Sequence, residues 1–131
     1  MKSKVNWIEK QLIKISSLID NRIKLKPIDT DRALPKLERR IKELAQKYQF
    51  TFNKLSVKNQ KTRWGSCSLK NNINLNARLL HLPTELADYV ILHELVHTKV
   101  KNHSKEFWST LDKYVGDSKF YDKELKNYKI I

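Results

Sequence analysis

Apolar residues recur every three or four positions in two segments of the first part of the chain. They are Val5, Ile8, Leu12, Ile15 and Ile19 in the first segment, and Leu34, Leu37, Ile41, Leu44 and Tyr48 in the second. This spacing puts the apolar side chains on one face of an α-helix. The Lys26-Pro27 pair separates the segments, because the residue before a proline disfavours helical backbone. The pattern predicts a helical N-terminal part, residues 1–48, in which both helices pack on a core.

The pattern changes to alternation in the middle of the chain. Apolar and polar residues largely alternate from Phe50 to Val57, and Ile73 and Leu75 repeat this period of two. Such alternation is typical of a strand with one buried face. Asn71-Asn72 stands where a turn must precede the last of these strands, and asparagine is well suited to turn backbone. The sequence therefore predicts a small central β-sheet.

A largely apolar segment with helix-start signals follows the sheet region. Pro83 and Glu85 suit the first turn of a helix, where the missing N–H of proline is harmless and the helix dipole favours an acid. We predict a buried helix from about Pro83 to Thr98. Ser104 is the predicted N-cap of a second helix. The core-facing residues of that second helix are Phe107, Trp108, Leu111 and Val115.

These elements predict an α+β fold in one domain, residues 1–131, with the sheet and the later helices in residues 49–131. A final short helix is predicted to hold Leu125 and Tyr128. The single cysteine cannot form an internal disulfide, and no apolar run approaches the roughly 20 residues that a membrane helix needs. The polar start of the chain is not followed by a signal-peptide core. We therefore expect a cytoplasmic protein without membrane contact.

Residues 93 to 103 read His-Glu-Leu-Val-His-Thr-Lys-Val-Lys-Asn-His. On a helix, His93 and His97 lie one turn apart on the same face, so both rings can reach one metal ion. Glu94 lies about 100° round the helix, close enough to contact a metal-bound water without being a ligand. His103 can supply a third nitrogen after the chain turns back. Three protein ligands and one open position are typical of a catalytic zinc site, and the alternative is a set of core histidines bonded to carbonyls.

The residues after the motif bear on the class of zinc protease. One class has a glycine before the third histidine and a methionine turn after the site, but residues 99–102 contain no glycine and the only methionine is Met1. Asn102 tolerates left-handed backbone and is the predicted substitute for the glycine. In another class a downstream glutamate is the third ligand. Glu106 therefore remains an alternative to His103, because carboxylate oxygen also binds zinc.

Several ordered blocks give the chain a family resemblance. They are Arg63-Trp64-Gly65-Ser66-Cys67-Ser68, Ile73-Asn74-Leu75-Asn76, Tyr89 to His97, Asn102-His103-Ser104 and Phe107-Trp108. Over about residues 55 to 115 the chain resembles the YgjP-like family of small metallopeptidases, which is similar in its catalytic core to the SprT-like and WLM-domain proteases that act on proteins attached to DNA.

The resemblance implies a zincin-like fold of a minimal, gluzincin type. It also implies a zinc ion on His93, His97 and His103, with Glu94 as the general base. Family members have strands before the tryptophan that Trp7 matches, so we expect either a short member or a chain without those strands. The Arg63–Cys67 block is expected to form the floor or edge of the cleft, with Trp64 and Gly65 as packing and turn residues.

The resulting hypothesis is a zinc-dependent peptidase that cleaves a protein or peptide substrate through a metal-activated water. One alternative is a nucleic-acid-binding module with a structural zinc, in which Cys67 would be the closing ligand. Another is a zinc hydrolase that acts on a different bond. A lone cysteine is more often a small buried residue than a nucleophile. The candidate donors to the oxyanion are Tyr121, Tyr128, His81 and Arg63.

Charge adds a candidate partner. The chain carries a net charge of +13, and no acidic residue occurs between Glu43 and Glu85. Seven basic residues lie in that interval: Lys47, Lys54, Lys58, Lys61, Arg63, Lys70 and Arg78. Phe50, Phe52 and Trp64 are interleaved with them. The region Lys47 to Arg78 is therefore predicted to bind DNA or another polyanion, with a solvated lysine-rich surface as the alternative interpretation.

Overall fold

The structure is a computed structural model, and it describes residues 21–131. The first predicted amphipathic helix, with Val5 to Ile19, and Trp7 lie outside the described residues. The described elements in chain order are β1 (Ile23–Leu25), α1 (Thr30–Tyr48), β2 (Leu55–Lys58), β3 (Gly65–Cys67), β4 (Ile73–Asn76), a 3-10 helix (Ala77–His81), α2 (Thr84–His97), α3 (Lys105–Val115), α4 (Ser118–Leu125) and β5 (Tyr128–Ile130).

Helix α1 confirms the second amphipathic prediction. The side chain of Asp29 caps its first turn by accepting a hydrogen bond from the backbone of Asp31. The buried positions recur at helical spacing and are Ala33, Leu37, Ile41, Leu44 and Ala45. Leu34 was predicted to lie on this face but is exposed, and the neighbouring Ala33 is buried in its place. Burial of this face attaches the helix to the core, because most of the stability of a helix in a protein comes from packing of its apolar face.

The central sheet has the strand order β2-β4-β3. Strands β2 and β4 are parallel, whereas β3 and β4 are antiparallel and joined by a turn. Asn71 takes left-handed backbone in that turn, with φ at 65°, as expected for an asparagine turn. Strand β3 is therefore an edge strand of this sheet, with β4 as its paired neighbour.

The strand predicted from Phe50 to Val57 begins only at Leu55, so the first half of that prediction is wrong. The backbone N–H of Phe50 donates to the carbonyl of Ala45 and closes the end of α1. The Phe50 ring is buried and meets Tyr114 of α3 edge-on, with ring centroids 4.9 Å apart. Phe50 thus serves the core beneath the helices instead of alternating along a strand.

A second sheet joins the two ends of the described chain. Strand β1 pairs in parallel with β5, with Ile23 opposite Tyr128. This pairing corrects two predictions, because residues 1–48 are not helical throughout and Tyr128 lies in a strand, not in the final helix. Local periodicity gave no signal for it, since each strand has three residues and its partner lies at the other end of the chain.

Helix α2 lies at the centre of the molecule. It begins one residue after the predicted start and ends one residue before the predicted end. It contacts α1, β3, β4, α3 and α4, so nearly every side of it is covered. The buried residues are Leu86, Tyr89, Val90, Ile91, Leu92, Glu94, Leu95, Val96 and His97. The α+β prediction is confirmed, with the motif helix packed between the sheet and the last two helices.

Among residues 21–131, no helix is both long enough and apolar enough to span a bilayer.

Candidate metal centre

The α-helical spacing places His93 and His97 together on the side of α2 that faces α3. Their ring centroids lie 4.9 Å apart. His97 is buried, whereas His93 is half-buried. One turn of α-helix separates the two residues, and both rings lie on the same face of the helix, as predicted from the sequence.

His103 joins these two residues from the loop between α2 and α3. Its Nε2 atom lies 3.2 Å from Nε2 of His97. One ligand atom from each of His93, His97 and His103 lies within 4.8 Å of the other two. The three histidines singled out by the sequence therefore form one cluster that could hold a metal ion.

A hydrogen bond fixes the protonation of His97. Its Nδ1 atom lies 2.9 Å from the carbonyl oxygen of Val100 and, as the N–H donor, holds the ring in one orientation. Burial lowers the pKa of His97 below the ordinary histidine value, which favours the neutral ring. The unprotonated Nε2 then points its lone pair at the cluster. This arrangement suits a metal ligand, because ligating histidines commonly donate their other N–H to a carbonyl.

Helix α3 supplies aromatic packing around the cluster. The Phe107 ring stacks on His97 with centroids 4.2 Å apart, and it meets His93 edge-on at 4.9 Å. Trp108 lies beside His103, with centroids 5.9 Å apart. These contacts restrict the imidazole rotamers, which is the usual way in which a protein preorganises a site. Phe107 lies in the core and Trp108 packs against it, as predicted, and both rings also support the histidines.

Three further hydrogen bonds hold the loop that carries His103. The Ser104 hydroxyl caps α3 by accepting from the backbone of Phe107, as predicted. The Lys101 ammonium crosses to the turn after β3 and donates to the carbonyl of Ser68 at 2.9 Å and to the side chain of Asn71. The third histidine is therefore fixed both to α3 and to the sheet.

One prediction about this loop is wrong, and the alternative third ligand is not brought into the cluster. Among the described residues other than glycine, positive φ occurs only at Gln49 and Asn71, so Asn102 does not replace a left-handed glycine. The chain leaves α2 through N–H bonds of Lys99 and Val100 to the carbonyl of Val96 instead. Glu106 is exposed and does not belong to the cluster of convergent ligand atoms, so the alternative ligand set is not formed.

Glu94 lies beside the histidines, and its side chain is buried, with 5% of the residue exposed. Its Oε2 atom lies 3.2 Å from Nδ1 of His93. The backbone of β3 passes directly over this carboxylate at Gly65, where a Cβ atom would meet Glu94 Cγ at 3.1 Å. Gly65 was expected to be a turn residue, but it is the first residue of β3. The sequence signal for a close approach was a glycine inside a short strand.

A cleft opens on both sides of His93 and Glu94. One cavity, of about 350 Å³, contains the three histidines, with Cys67 and Lys101 in its wall. The other, of about 210 Å³, is lined mainly by apolar residues, including Trp64, Val90 and Leu125. Arg63 and Gly65 border both cavities. The Arg63–Cys67 block thus forms the edge of the cleft, as expected.

The remaining candidates separate by position. Of the four proposed oxyanion donors, Arg63 borders the histidine cavity, whereas Tyr121, Tyr128 and His81 do not line it. Burial raises the pKa of the Cys67 thiol, so the thiol remains protonated and is a poor nucleophile. Within the described residues, Cys67 is not one of the convergent metal-binding groups.

The predicted basic region also needs correction. Arg78 is 1% exposed, and its guanidinium donates to the carbonyls of Leu25, Gln60 and Ile131. It is therefore a structural residue and not part of a positive surface. Phe50 is buried in the core as well. Exposed basic side chains of the region are Lys47, Lys54, Lys58, Lys61, Arg63 and Lys70.

The α+β fold holds two of the three histidines on its central helix and the third in the following loop, and together with the family match this defines a zincin-like metallopeptidase. The chain belongs to the YgjP-like metallopeptidase domain family, whose model matches residues 20–128. A search of curated proteins found no match to the chain.

Solved structures with a similar fold come from archaea and yeast. The metallopeptidase zymogen abylysin of Pyrococcus abyssi is 22% identical, with a TM-score of 0.60, and the match covers 72% of this chain and 99% of that one. The metallopeptidase zymogen jannalysin of Methanocaldococcus jannaschii is 24% identical, with a TM-score of 0.59 and coverage of 69% and 93%. A Wss1 mutant from Saccharomyces cerevisiae is 18% identical, with a TM-score of 0.54 and coverage of 79% and 94%. At these identities the likeness establishes the fold.

Proposed function

We propose that the protein is a zinc-dependent metallopeptidase in which His93, His97 and His103 hold the metal and Glu94 is the general base. The substrate is a protein or peptide. The observation that carries the proposal is the convergence of the three ring nitrogens beside a buried carboxylate. Nitrogens bound at about 2.0–2.1 Å to one tetrahedral zinc lie roughly 3.4 Å apart. The 3.2 Å between Nε2 of His97 and Nε2 of His103 is compatible with that separation.

The chain's own residues carry the proton transfers. When bound, zinc would supply a water of lowered pKa and polarise the scissile carbonyl. Glu94 accepts a proton from the attacking water and later delivers it to the leaving amine, which splits the difficult step into two assisted transfers. Because Glu94 is shielded from bulk solvent, its charge acts on the reacting water with little screening.

Strand β3 is the proposed docking edge for the substrate backbone. It lies at the edge of its sheet and borders both cavities beside Glu94. An extended peptide can add to such an edge as a further strand, which brings a peptide bond across the catalytic carboxylate. Arg63, at the border of both cavities, is the proposed donor to the developing oxyanion.

Glu94→Gln tests this function most directly. We expect the variant to bind zinc in a one-to-one ratio, measured by elemental analysis of the purified protein, and to lose cleavage of a denatured protein or a synthetic peptide mixture. Loss of the general base costs about 10²–10⁴ in rate. Glu106→Gln is the matched control, because it makes the same chemical change at an exposed glutamate near the site. Cleavage by Glu94→Gln at the wild-type rate would refute the proposal.

The same experiment separates the alternatives. A binding module with a structural zinc predicts that Glu94→Gln leaves function unchanged and that Cys67→Ser releases the metal. A three-histidine site with an open position predicts that the Cys67→Ser variant still binds the metal. A hydrolase of another bond predicts no cleavage of any peptide and turnover of a non-peptide ester or amide that still depends on Glu94.

A second proposal concerns a polyanion. We propose that the exposed part of the basic region binds nucleic acid near the catalytic cleft. Arg63 supports this proposal because it belongs to the region and also borders the cleft. Lysine-to-phosphate contacts give a salt-dependent affinity, with a slope of about −0.9 per neutralised phosphate on duplex DNA.

A charge-matched pair of variants tests this second proposal. Lys54, Lys58 and Lys61 are changed together to glutamine in one variant, and the exposed Lys36, Lys113 and Lys119 in the other. We expect the first variant to bind a DNA duplex more weakly and with a smaller salt slope. Equal loss in both variants would indicate only a general attraction to net positive charge.

A further inference from the structure

A side chain at Gly65 would meet Glu94 at less than an ordinary packing distance. A Cβ atom at position 65 would lie 3.1 Å from Glu94 Cγ and 3.2 Å from Glu94 Oε2. The optimum separation between carbon atoms is about 3.5–4.0 Å. A side chain at position 65 would therefore require the side chain of Glu94 to shift by a few tenths of an ångström.

The neighbours of Gly65 leave one direction for relief. The same Cβ would lie 3.1 Å from the carbonyl oxygen of Asn74, which belongs to the paired strand β4 and is held by the sheet. The backbone of Glu94 is held in α2, which is covered on most of its sides. We therefore expect an added side chain to be accommodated by a shift of the Glu94 side chain away from β3.

Backbone conformation does not explain the glycine. Among the described glycines, positive φ occurs at Gly116, with φ at 88°, and not at Gly65. An alanine could adopt the backbone of Gly65 without strain, whereas it would be strained at Gly116. A Cβ at Gly116 would meet nothing within 4 Å. Substitution by alanine thus tests contact with Glu94 at Gly65 and backbone strain at Gly116.

We propose that Gly65 is a positioning residue that sets the place of the Glu94 carboxylate by presenting a bare strand backbone against it. The proposal rests on the proposed role of Glu94 as the general base. Because Gly65 also borders both cavities, a side chain there would intrude at the point where the cleft passes over the carboxylate. Displacement of a catalytic group by a fraction of an ångström to 1 Å costs on the order of 10- to 100-fold in rate.

The experiment compares Gly65→Ala with Gly116→Ala in the full chain loaded with zinc. For Gly65→Ala we expect kcat to fall about tenfold or more, with KM and zinc affinity within about twofold of the wild type. For Gly116→Ala we expect a lower Tm with unchanged kcat. Wild-type kcat in Gly65→Ala would overturn the proposal. Equal loss of kcat, substrate affinity and zinc affinity would also overturn it, because that result indicates a general distortion.

A stability cycle tests the contact without activity. We measure Tm for Gly65→Ala, Glu94→Ala and the double variant, all without metal. If the added methyl group opposes the Glu94 side chain, Gly65→Ala lowers Tm less in the Glu94→Ala background than in the wild type. Strict additivity would overturn the proposal, and the double variant keeps this test available if Gly65→Ala alone fails to fold. Because no activity is measured, the outcome is independent of whether Glu94 proves to be the general base.

Discussion

The Nε2 atoms of His97 and His103 lie 3.2 Å apart, although the first residue ends a helix and the second lies in a loop. The other ring nitrogen of His97, Nδ1, donates a hydrogen bond to the carbonyl of Val100. Two imidazole nitrogens at this separation can share one proton or one metal ion, but two protonated rings would repel each other. The loop therefore holds His103 where its ring and the ring of His97 can bind one cation, while the carbonyl of Val100 orients His97.

Removal of one ring should remove the metal. We expect His103→Ala to lower zinc affinity by several orders of magnitude, since two nitrogens remain of a three-nitrogen site. Competition with a coloured chelator measures the affinity. His81→Ala is the matched control, because His81 is exposed and does not line the histidine cavity. Its Nε2 atom lies 3.2 Å from the carbonyl of Lys26 instead. Loss of zinc in the His81 variant, or its retention in the His103 variant, would contradict the assignment.

The metal-free protein should lose stability in mild acid. Burial lowers the pKa of His97 from the ordinary value of 6.5, so the unfolded chain takes up a proton at a higher pH than the folded chain does. The contribution of His97 to the free energy of unfolding is then complete above about pH 6.5 and is lost as the pH falls through the folded pKa. Urea unfolding between pH 7.5 and 5 measures it. His97→Gln should show a flatter dependence, and an equally steep one would exclude His97 as the cause.

Arg78 should be a major determinant of stability. Its buried guanidinium joins β1, the loop before β3 and the residue after β5 through the carbonyls of Leu25, Gln60 and Ile131. Arg78→Met would remove three hydrogen bonds of a buried cationic group, leaving Leu25 with the N–H of Ile131 and Gln60 with the side chain of Asn76, and we expect a loss of roughly 2–4 kcal/mol. Chemical unfolding measures the loss. Arg39→Met, at an exposed arginine of α1, should cost under about 0.5 kcal/mol. Similar losses in both variants would contradict the structural role.

The ion pair between α1 and α2 should contribute less to the free energy of unfolding than Arg78 does. Arg40 donates to Asp88 through Nε at 2.7 Å and through Nη2 at 2.5 Å, which is a bidentate arrangement. The Arg40 side chain is 40% exposed, so solvent screens the attraction. We expect Asp88→Asn to cost about 1 kcal/mol in the free energy of unfolding. Glu38→Gln breaks the more exposed pair with Lys42, and a greater loss there than in Asp88→Asn would contradict this ranking.

Short-range patterns carried much of the fold and of the candidate site. The helical spacing of α1, the Ser104 cap and the turn at Asn71-Asn72 follow from side-chain chemistry within a few residues, and each was predicted. His93, Glu94 and His97 were also placed correctly relative to each other, because one turn of helix fixes that geometry. Their roles in metal binding and proton transfer stay predictions until the variants are measured.

Long-range packing decided the rest. The pairing of β1 with β5, the burial of Arg78 beneath both, and the return of His103 to the helix all depend on contacts between distant parts of the chain. Gly65 shows the limit most clearly, since a glycine in a strand reads as a turn or bulge until the opposing Glu94 is seen. The sequence by itself determined the candidate groups of the site and most of the local elements that carry them. Only the tertiary structure decided how closely they approach, because packing density and distant strand pairing set those distances and neither is written in local periodicity.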